Sequence, residues 1–399
     1  MKKLITLKKA ENDYIYINKK KYFDLSLQNG VLLFGHNNQI FKYTLKKIIE
    51  KKISLSNLDY SKIHKKIFSL IKKNFKSTYK LVYCTTGSES VTKAIRIARA
   101  LKKNKSKIFI VNGSWHGSVD QTLFFSKNNL KPLPISSGIS SNFQKNVKIL
   151  PFNDIKRSKK ILDKFHKDVS CIIIEPIPAS LPLQSRKQYL KFLRDYCTKK
   201  NIILIFDEVI TGIRTKEGSV QNKFNILPDI TIAGKAIGGG LPISFILINK
   251  KISKKINNLK KKIFFGGTFS ANNYSVFSSF NTLSFINRNK NIINKIITNA
   301  EFFQKKVNSF SKENNLDVQV YRFDSFLRII FTKTNVKNII VRDFLEKKKR
   351  NKILSFKRYL YQRRILYPKN GVIFFSSMIN RNKVDFLIKN ICLGIKKYF

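Results

Sequence analysis

The stretch IILIFDEVITG at residues 202–212 contains an apolar strand pattern that ends in two carboxylates, Asp207 and Glu208. A second stretch, DITIAGKAIGGGLP at residues 229–242, repeats the apolar pattern before Lys235. Strands that are apolar along their whole length are typical of parallel sheets covered by helices on both faces. Such sheets bind ligands beyond the carboxyl ends of their strands. The two stretches therefore predict an α/β fold with a site that contains Asp207 and Lys235.

Further apolar segments extend this pattern along the chain. They predict strands at residues 81–84 (LVYC), 107–111 (KIFIV), 170–176 (SCIIIEP) and 243–249 (ISFILIN). Between the first two strands, apolar residues recur at helical spacing, and Ser88 is the predicted N-cap of that helix. Strands that alternate with helices indicate βαβ units around a mostly parallel sheet. We therefore expect a large domain with a mostly parallel sheet flanked by helices.

The C-terminal part of the chain has a different pattern. A long helical pattern near residues 289–312 is followed by apolar runs at 326–331 and 371–377 and by a closing amphipathic helix. The stretch YIYINKKKYFDL at residues 14–25 alternates as a strand does. We predict three parts: an N-terminal segment (1–45) that packs with the small domain, a large domain (46–288), and a smaller α+β domain (289–399).

The chain is strongly basic. Its 399 residues include 79 Lys+Arg and 23 Asp+Glu, a formal net charge of +56. The excess favours attraction of an anionic substrate, nucleic acid or a membrane surface; alternatively it forms a generally basic, solvated surface, because the basic runs are scattered. No uncharged apolar stretch reaches the roughly 18 residues of a membrane span, and MKKLITLKKA is too short and charged for a signal peptide. We therefore expect a soluble, cytoplasmic protein.

The cysteines predict no special chemistry. All four are far apart in the sequence, and no CxxC pair or histidine cluster accompanies them. Neither a metal site nor a disulfide framework is expected from this spacing.

Two short motifs suggest ligand contacts. In TTGSES at residues 85–90, the backbone N–H groups of Gly87 and Ser88 and the hydroxyl of Thr86 would suit a phosphate at a helix N-terminus; alternatively the turn only reverses the chain. Trp115, the only tryptophan, precedes His116 and a glycine. This arrangement suits either stacking on a planar ligand or an ordinary core indole.

Lys235 lies in apolar surroundings, between Gly234 and Ala236. Burial would lower its pKa from about 10.4 and leave an amine able to attack a carbonyl; alternatively it is a lysine on a surface loop. Asp207 would suit either a ligand or a loop cap. A phosphate turn, an aromatic ring, a carboxylate and a nucleophilic amine are together what is needed to hold pyridoxal phosphate, whose ring acts as an electron sink.

Several longer motifs carry a family resemblance. In chain order they are TTGSESVTKAIRIARA, SWHGSVD, IIIEP, LIFDEVITGIR, PDITIAGKAIGGGLP and GGTFSANN. On these motifs the sequence resembles the class III, fold-type I pyridoxal-phosphate aminotransferases, especially the branch that contains glutamate-1-semialdehyde 2,1-aminomutase. The likeness extends from residue 14 to the end of the chain. It implies an enzyme that uses pyridoxal 5′-phosphate.

The resemblance also implies a role for each site residue. Lys235 would form the Schiff base with the cofactor and then shuttle a proton, and Asp207 would pair with the pyridinium nitrogen. Thr268, in GGTFS, would reach the phosphate of the neighbouring subunit, which implies a homodimer. The other implied cofactor contacts are Thr86, Gly87 and Ser88 at the phosphate, Trp115 and Val209 on the two ring faces, and His116 and Glu175 behind them.

The chain departs from the family pattern in three places. The usual SGNP is replaced by SANN, with Ala271 and Asn273, and IPASLP follows Glu175 and Pro176 where a glycine is usual. The stretch NSPVR, typical of the N-terminal arm of the aminomutase, is absent. These departures leave the cofactor chemistry intact and the substrate open.

Three functions follow as hypotheses. The first is a class III aminotransferase that moves an amino group between an amino donor and a carbonyl acceptor by a ping-pong mechanism. The alternative within the same chemistry is a glutamate-1-semialdehyde 2,1-aminomutase, in which donor and acceptor are one molecule. A nucleic-acid-binding protein on a retired enzyme scaffold is the alternative that the charge prompts. Arg322 and Arg328 are candidates for binding a substrate carboxylate, or else surface residues.

Overall fold

The structure, a computed structural model, describes residues 9–56, 62–103, 105–127, 131–183 and 186–399. Its strands are Ala10–Glu11, Tyr14–Ile17, Lys20–Asp24, Lys80–Cys84, Lys107–Val111, Phe124–Phe125, Leu133–Pro134, Val147–Leu150, Val169–Ile174, Ile203–Asp207, Ile230–Gly234, Ser244–Ile248, Gln319–Phe323, Phe326–Ile330, Ile365–Leu366 and Val372–Phe374. Its α-helices are Gln39–Glu50, Lys62–Asn74, Gly87–Leu101, Ser141–Lys145, Ile155–Phe165, Lys187–Lys200, Val220–Phe224, Lys250–Asn257, Asn273–Arg288, Asn291–Glu313, Ile339–Lys348, Arg350–Gln362 and Arg381–Tyr398. Single 3₁₀ turns are Asp120–Thr122, His166–Asp168 and Lys235–Gly238.

A seven-stranded sheet forms the centre of the large part of the molecule. Its order, by first residue, is 80, 244, 230, 203, 169, 107 and 147. The strands from 230 to 147 in this order run parallel, and only Ser244–Ile248 is antiparallel to its neighbours. The predicted α/β class with a mostly parallel sheet is confirmed. The edge strand Val147–Leu150 was not predicted, because it is short and Lys148 interrupts its apolar pattern.

The helix Gly87–Leu101 follows the first strand of this sheet and packs on it. Its apolar positions Val91, Ala94 and Ile95 are buried, as helical spacing predicts. The predicted N-cap was wrong by two residues. Thr86 caps the helix, because its backbone is extended and its hydroxyl accepts a hydrogen bond from the Glu89 N–H at 3.2 Å, whereas Ser88 already lies within the first turn.

The remaining elements build smaller sheets near the C-terminus. The hairpin Gln319–Phe323 and Phe326–Ile330 pairs with Val372–Phe374, and the long helix Asn291–Glu313 packs against Arg381–Tyr398. The N-terminal strand Lys20–Asp24 pairs in parallel with residues 365–366. This pairing supports the proposed grouping of the N-terminal segment with the small domain. Residues 1–8, 57–61, 104, 128–130 and 184–185 of the proposed parts lie outside the described residues.

This topology places the predicted chemistry at one edge of the central sheet. Asp207 ends its strand, Glu175 follows the strand that ends at Ile174, and Lys235 follows Gly234. Their three strands are neighbours in the sheet and run in the same direction, so the three side chains share one edge. In the part of the chain that the structure describes, no helix has the length and apolar character that crossing a membrane requires.

Candidate active site

A cavity of about 390 Å³ opens at the carboxyl edge of the central sheet. This volume lies within the usual range for small-molecule sites, roughly 300–1,000 Å³. The cavity brings together nine predicted site residues, which are Thr86, Gly87, Ser88, Trp115, His116, Glu175, Asp207, Val209 and Lys235. The tenth, Thr268, does not line it.

The phosphate end of the cavity is the N-terminus of the helix Gly87–Leu101. The first N–H groups of a helix have no partner within the helix, and the helix dipole adds partial positive charge there. Thr86 caps the Glu89 N–H, and Ser88 Oγ accepts a hydrogen bond from the Ser118 N–H at 3.0 Å. The N–H groups of Gly87 and Ser88 thus border the cavity without a helical partner, which suits an anion.

Gly117 allows the aromatic segment to approach this turn closely. Its φ is +77°, and a Cβ atom there would lie 2.3 Å from Ser88 Oγ. A side chain at this position would clash and would also strain the backbone. The glycine therefore keeps Trp115 and His116 beside the phosphate turn.

A buried hydrogen-bond network orients the carboxylate of Asp207. The Nδ1 atom of His116 lies 2.8 Å from Asp207 Oδ2, and the Val209 N–H donates to Oδ1 at 3.2 Å. His116 and Asp207 are both buried. The Nε2 atom of His116 is also buried, and it has no hydrogen-bond partner among the described residues. The network fixes the orientation of the Asp207 carboxylate.

Glu208 has a structural role, although it adjoins Asp207. Side chains alternate across a strand, so the two carboxylates point to opposite sides. Glu208 is fully buried and accepts hydrogen bonds from the N–H groups of Val220 and Gln221 and from the Thr211 hydroxyl. It therefore anchors the helix Val220–Phe224, while Asp207 faces the cavity.

Glu175 is a second buried carboxylate in the cavity. Burial raises its pKa to about 7, and the negative charge of Asp207 adds to this rise. Opposing effects come from His116 and Lys235 and from the Trp115 N–H, which donates to Glu175 Oε2 at 2.8 Å. Glu175 thus holds the backbone of Trp115, a residue that is 57% exposed and borders the cavity.

Lys235 is the candidate nucleophile. Burial lowers the pKa of its amine. The carboxylates of Glu175 and Asp207 oppose the shift, while the positive charge of Arg214 adds to it. Its backbone has a φ of +49°, which is uncommon for a residue with a side chain and is typical of strained functional positions. Lys235 is therefore not the surface-loop lysine that was the alternative.

Thr268 lies on an exposed loop outside the cavity. The loop is attached to the phosphate-turn helix of the same chain. Ser270 Oγ donates to Glu89 at 2.9 Å, and the Lys93 amine donates to both Glu89 and the Phe265 carbonyl. Glu89 also accepts a hydrogen bond from the Thr85 N–H at 2.7 Å. These hydrogen bonds tie the loop that carries Thr268 to the helix, and the predicted contact of Thr268 with a neighbouring subunit stays a prediction.

The structure also adds and removes candidates. Gln28, Val31 and residues 240–243 line the cavity, although no role was predicted for them. The motif GGGLPI contained part of this set, but nothing in the sequence indicated Gln28. Arg322 and Arg328 do not line the cavity; their guanidinium groups pair with Glu301 at 3.9 Å and Glu346 at 3.0 Å.

Known proteins share this sequence pattern. A family model described as Aminotransferase class-III matches residues 1–355. Glutamate-1-semialdehyde 2,1-aminomutase of Wigglesworthia glossinidia brevipalpis is 34% identical over 339 residues, which cover 82% of this chain and 76% of that protein. The protein of the same name from Fusobacterium nucleatum is 31% identical over 384 residues, which cover 95% of this chain and 87% of that protein.

Solved structures share the fold. An omega-transaminase from Sphaerobacter thermophilus superposes with a TM-score of 0.89 at 19% identity, covering 97% of this chain and 90% of that one. A glutamate-1-semialdehyde-aminomutase from Pseudomonas aeruginosa gives a TM-score of 0.87 at 18% identity, covering 98% and 88%. The match of the family model over most of the sequence agrees with these folds. The chain belongs to the class-III aminotransferase family.

Proposed function

We propose that this chain is a pyridoxal-phosphate-dependent aminotransferase that moves an amino group from a small amino donor to a carbonyl acceptor. The observation that carries the proposal is the convergence of Lys235, Asp207 and the phosphate turn in one cavity. An amine with a lowered pKa, an oriented carboxylate and an anion-binding helix end are the groups that this chemistry requires. The motifs and the family membership support the same conclusion.

The cavity residues fit pyridoxal 5′-phosphate. Gly87 and Ser88 offer N–H groups to a phosphate, Asp207 offers a carboxylate to a ring nitrogen, and the exposed face of Trp115 offers a stacking surface. When bound, the cofactor supplies an electron sink for negative charge at the substrate carbon. The full proposed contact set is Thr86, Gly87, Ser88, Trp115, His116, Glu175, Asp207, Val209, Lys235 and, from a neighbouring subunit, Thr268.

In this proposal, side chains of the protein transfer protons and keep the Asp207 carboxylate in a fixed orientation. Because burial lowers the pKa of Lys235, a larger fraction of its amine is neutral near pH 7 than in an exposed lysine. The neutral Nζ can accept a proton from a substrate carbon and return it. His116 and the Val209 N–H hold Asp207 in one orientation, so its negative charge stays directed into the cavity. The proposed catalytic residues are Lys235 and Asp207.

The aminomutase reaction is a second candidate. It is favoured by the curated relatives, several of which are named glutamate-1-semialdehyde 2,1-aminomutase and are about 30% identical or more to this chain. Supplied with glutamate 1-semialdehyde alone, a mutase forms 5-aminolevulinate. An aminotransferase needs a separate amino donor, and the rate without one separates the two functions.

We further propose that the enzyme acts as a cytoplasmic homodimer with the three-part organisation predicted from the sequence. The exposed position of Thr268, on a loop fixed by Glu89 and Ser270, supports a contact outside its own cavity. Light scattering gives the oligomeric state. The substitution Thr268→Val should weaken cofactor binding without changing the cavity of its own chain.

The first experiment tests the cofactor site. The purified protein is mixed with pyridoxal phosphate, its visible spectrum is recorded, and borohydride reduction is followed by peptide mass spectrometry. A visible band that disappears on reduction, with the label on Lys235, supports the proposal. Lys235→Ala should lose both signals, and the exposed Lys216→Ala should keep them. A label spread over surface lysines would contradict the proposal and would make nucleic-acid binding the next test for a chain of net charge +56.

A further inference from the structure

Residues 27–30 form a left-handed turn at the edge of the cavity. Their φ angles are +44° at Leu27, +53° at Gln28, +53° at Asn29 and +85° at Gly30. Glycine adopts this conformation freely, and asparagine tolerates it, but leucine and glutamine rarely do. Backbone strain of this kind persists only where the surrounding structure over-determines it, and it is concentrated at functional sites and ligand clamps. Residues 27–30 are therefore candidates for a functional role at the cavity.

Side-chain hydrogen bonds hold the first part of the turn. Asp24 Oδ1 accepts a hydrogen bond from the Ser26 N–H at 2.8 Å, and Ser26 Oγ accepts one from the Asn29 N–H at 3.2 Å. The Asn370 amide donates to Asn29 Oδ1 at 3.2 Å, and the Leu25 carbonyl accepts from the Phe374 N–H at 3.0 Å. Contacts from both ends of the chain thus fix the turn.

Arg214 closes the turn from within the protein. Its side chain is 1% exposed, and Nη2 donates to the Gly30 carbonyl. Its guanidinium carbon lies 4.9 Å from the ring centroid of Phe374, and a Cβ atom at Gly30 would approach that ring to 2.7 Å. Nη1 is buried without a partner among the described residues. Arg214 is therefore a desolvated cation with a direct hydrogen bond to the strained turn, and it ends the motif LIFDEVITGIR that contains Asp207.

The turn presents Gln28 to the cavity. Gln28 lines the same space as Lys235, and its carboxamide makes no hydrogen bond to another described residue. Gln28 belongs to the N-terminal segment, which supplies none of the groups that fit the cofactor. Within the described part of this chain, no arginine lines the cavity. Gln28 is exposed, so its carboxamide is free to form a hydrogen bond with a second molecule that enters the cavity.

We propose that Gln28 contacts the substrate, with its carboxamide donating a hydrogen bond to a substrate oxygen, and that Arg214 is a positioning residue that latches the left-handed turn. The proposal rests on the proposed aminotransferase function. It assigns the substrate to amino or oxo compounds that carry an oxygen-containing group near the reacting carbon. A single neutral donor discriminates against analogues without that oxygen, because its own hydrogen bond would then be lost.

The latch is tested without reference to activity. Hydrogen–deuterium exchange of the peptide that covers the turn is compared in the full-length wild type, Arg214→Met and Arg214→Lys. Loss of the donated hydrogen bond should speed exchange at the turn about tenfold in Arg214→Met, and lysine should restore most of the protection because it can still donate. Equal exchange in all three proteins would overturn the latch.

The substrate contact is tested in the cofactor-loaded enzyme with Gln28→Met and the matched exposed control Gln39→Met. KM and kcat are measured with L-glutamate, L-alanine and 5-aminolevulinate as oxygen-bearing amine probes and with n-butylamine as the oxygen-free probe. Gln28→Met should raise KM about three- to tenfold for a reactive oxygen-bearing probe, with kcat within about twofold, and should leave n-butylamine unaffected. The control should match the wild type. Arg214 variants are not used here, because the charge of Arg214 also acts on the pKa of Lys235.

The outcomes separate this proposal from the proposed function. A wild type that shows no label on Lys235 refutes the aminotransferase function and the substrate contact together, and the exchange experiment still decides the latch. If the wild-type protein carries the label on Lys235 but Gln28→Met has an unchanged KM, only the substrate contact is refuted. Reaction with n-butylamine but with none of the oxygen-bearing probes also refutes it.

Discussion

Replacement of Glu175 by glutamine should stabilise the cofactor-free protein at alkaline pH. Burial raises the pKa of Glu175 from its ordinary 4.5 to about 7. Between these two values the folded protein binds the proton and the unfolded chain does not. The free energy of unfolding therefore falls as pH rises through this window, and it is lowest above pH 7. Glutamine has no proton to lose and can still accept the hydrogen bond from the Trp115 N–H.

The size of the effect follows from the two pKa values. One pKa unit corresponds to about 1.4 kcal/mol, so the carboxylate destabilises the folded state by about 1 kcal/mol at pH 5 and by about 3 kcal/mol at pH 8. Relative to wild type, the free energy of unfolding of Glu175→Gln should therefore rise by about 2 kcal/mol more at pH 8 than at pH 5. This is a large share of the roughly 5–15 kcal/mol that stabilises a typical domain.

Urea unfolding of both proteins at pH 5 and pH 8 measures this difference. Removing any negative charge changes the self-repulsion of a chain with net charge +56, so the exposed Glu313→Gln serves as the control. If Glu175→Gln and Glu313→Gln shift stability equally at both pH values, Glu175 is ionised throughout this range. The nearby cations would then outweigh the effect of burial on the pKa of Glu175.

Other substitutions test the remaining site residues. Asp207→Asn should keep the fold and lower the rate of amine transfer at least about 100-fold, because the oriented negative charge is lost; a rate near wild type would remove Asp207 from the catalytic set. Thr86→Ala should cost about 1 kcal/mol of stability through the lost N-cap, seen as a lower Tm, whereas Thr92→Ala in the same helix should lower the Tm less, and equal losses would contradict the cap. Gly117→Ala should raise the Kd for pyridoxal phosphate because its Cβ atom displaces Ser88, and an unchanged Kd by fluorescence titration would place the phosphate elsewhere. Ser270→Ala should weaken cofactor binding through the loop that carries Thr268, and it should do so only in the dimer if that loop serves the neighbouring site.

The central strands, and the meeting of Asp207 and Lys235 in one cavity, could be predicted from the sequence because local pattern and burial agree there. Ile203–Asp207 and Ile230–Gly234 are covered on both faces, so their apolar runs are continuous and end where the sheet ends. The edge position of these strands predicted that Asp207 and Lys235 would lie together, and the motifs around them indicated the proposed cofactor. The N-cap at Thr86 was missed because neighbouring hydroxyl residues satisfy the same rule, and only the backbone geometry distinguishes them.

Other features depend on tertiary contacts that local pattern does not contain. Gln28 reaches the cavity through a left-handed turn that residues such as leucine and glutamine locally disfavour, and that Arg214 and Asn370 hold in place. Arg322 and Arg328 could not be assigned from the sequence, because Glu301 and Glu346 reach them only in the folded chain.

Asp207 faces the cavity and Glu208 faces the protein interior, so selection for the reaction and selection for folding act on different residues. A lineage that lost its reaction would accumulate changes at Asp207, which serves the cavity, while folding would continue to select for Glu208, whose oxygens hold buried N–H groups. An intact Glu208 therefore carries no information about activity. Asp207, beside a lysine whose pKa burial lowers, is the carboxylate whose role depends on the proposed reaction.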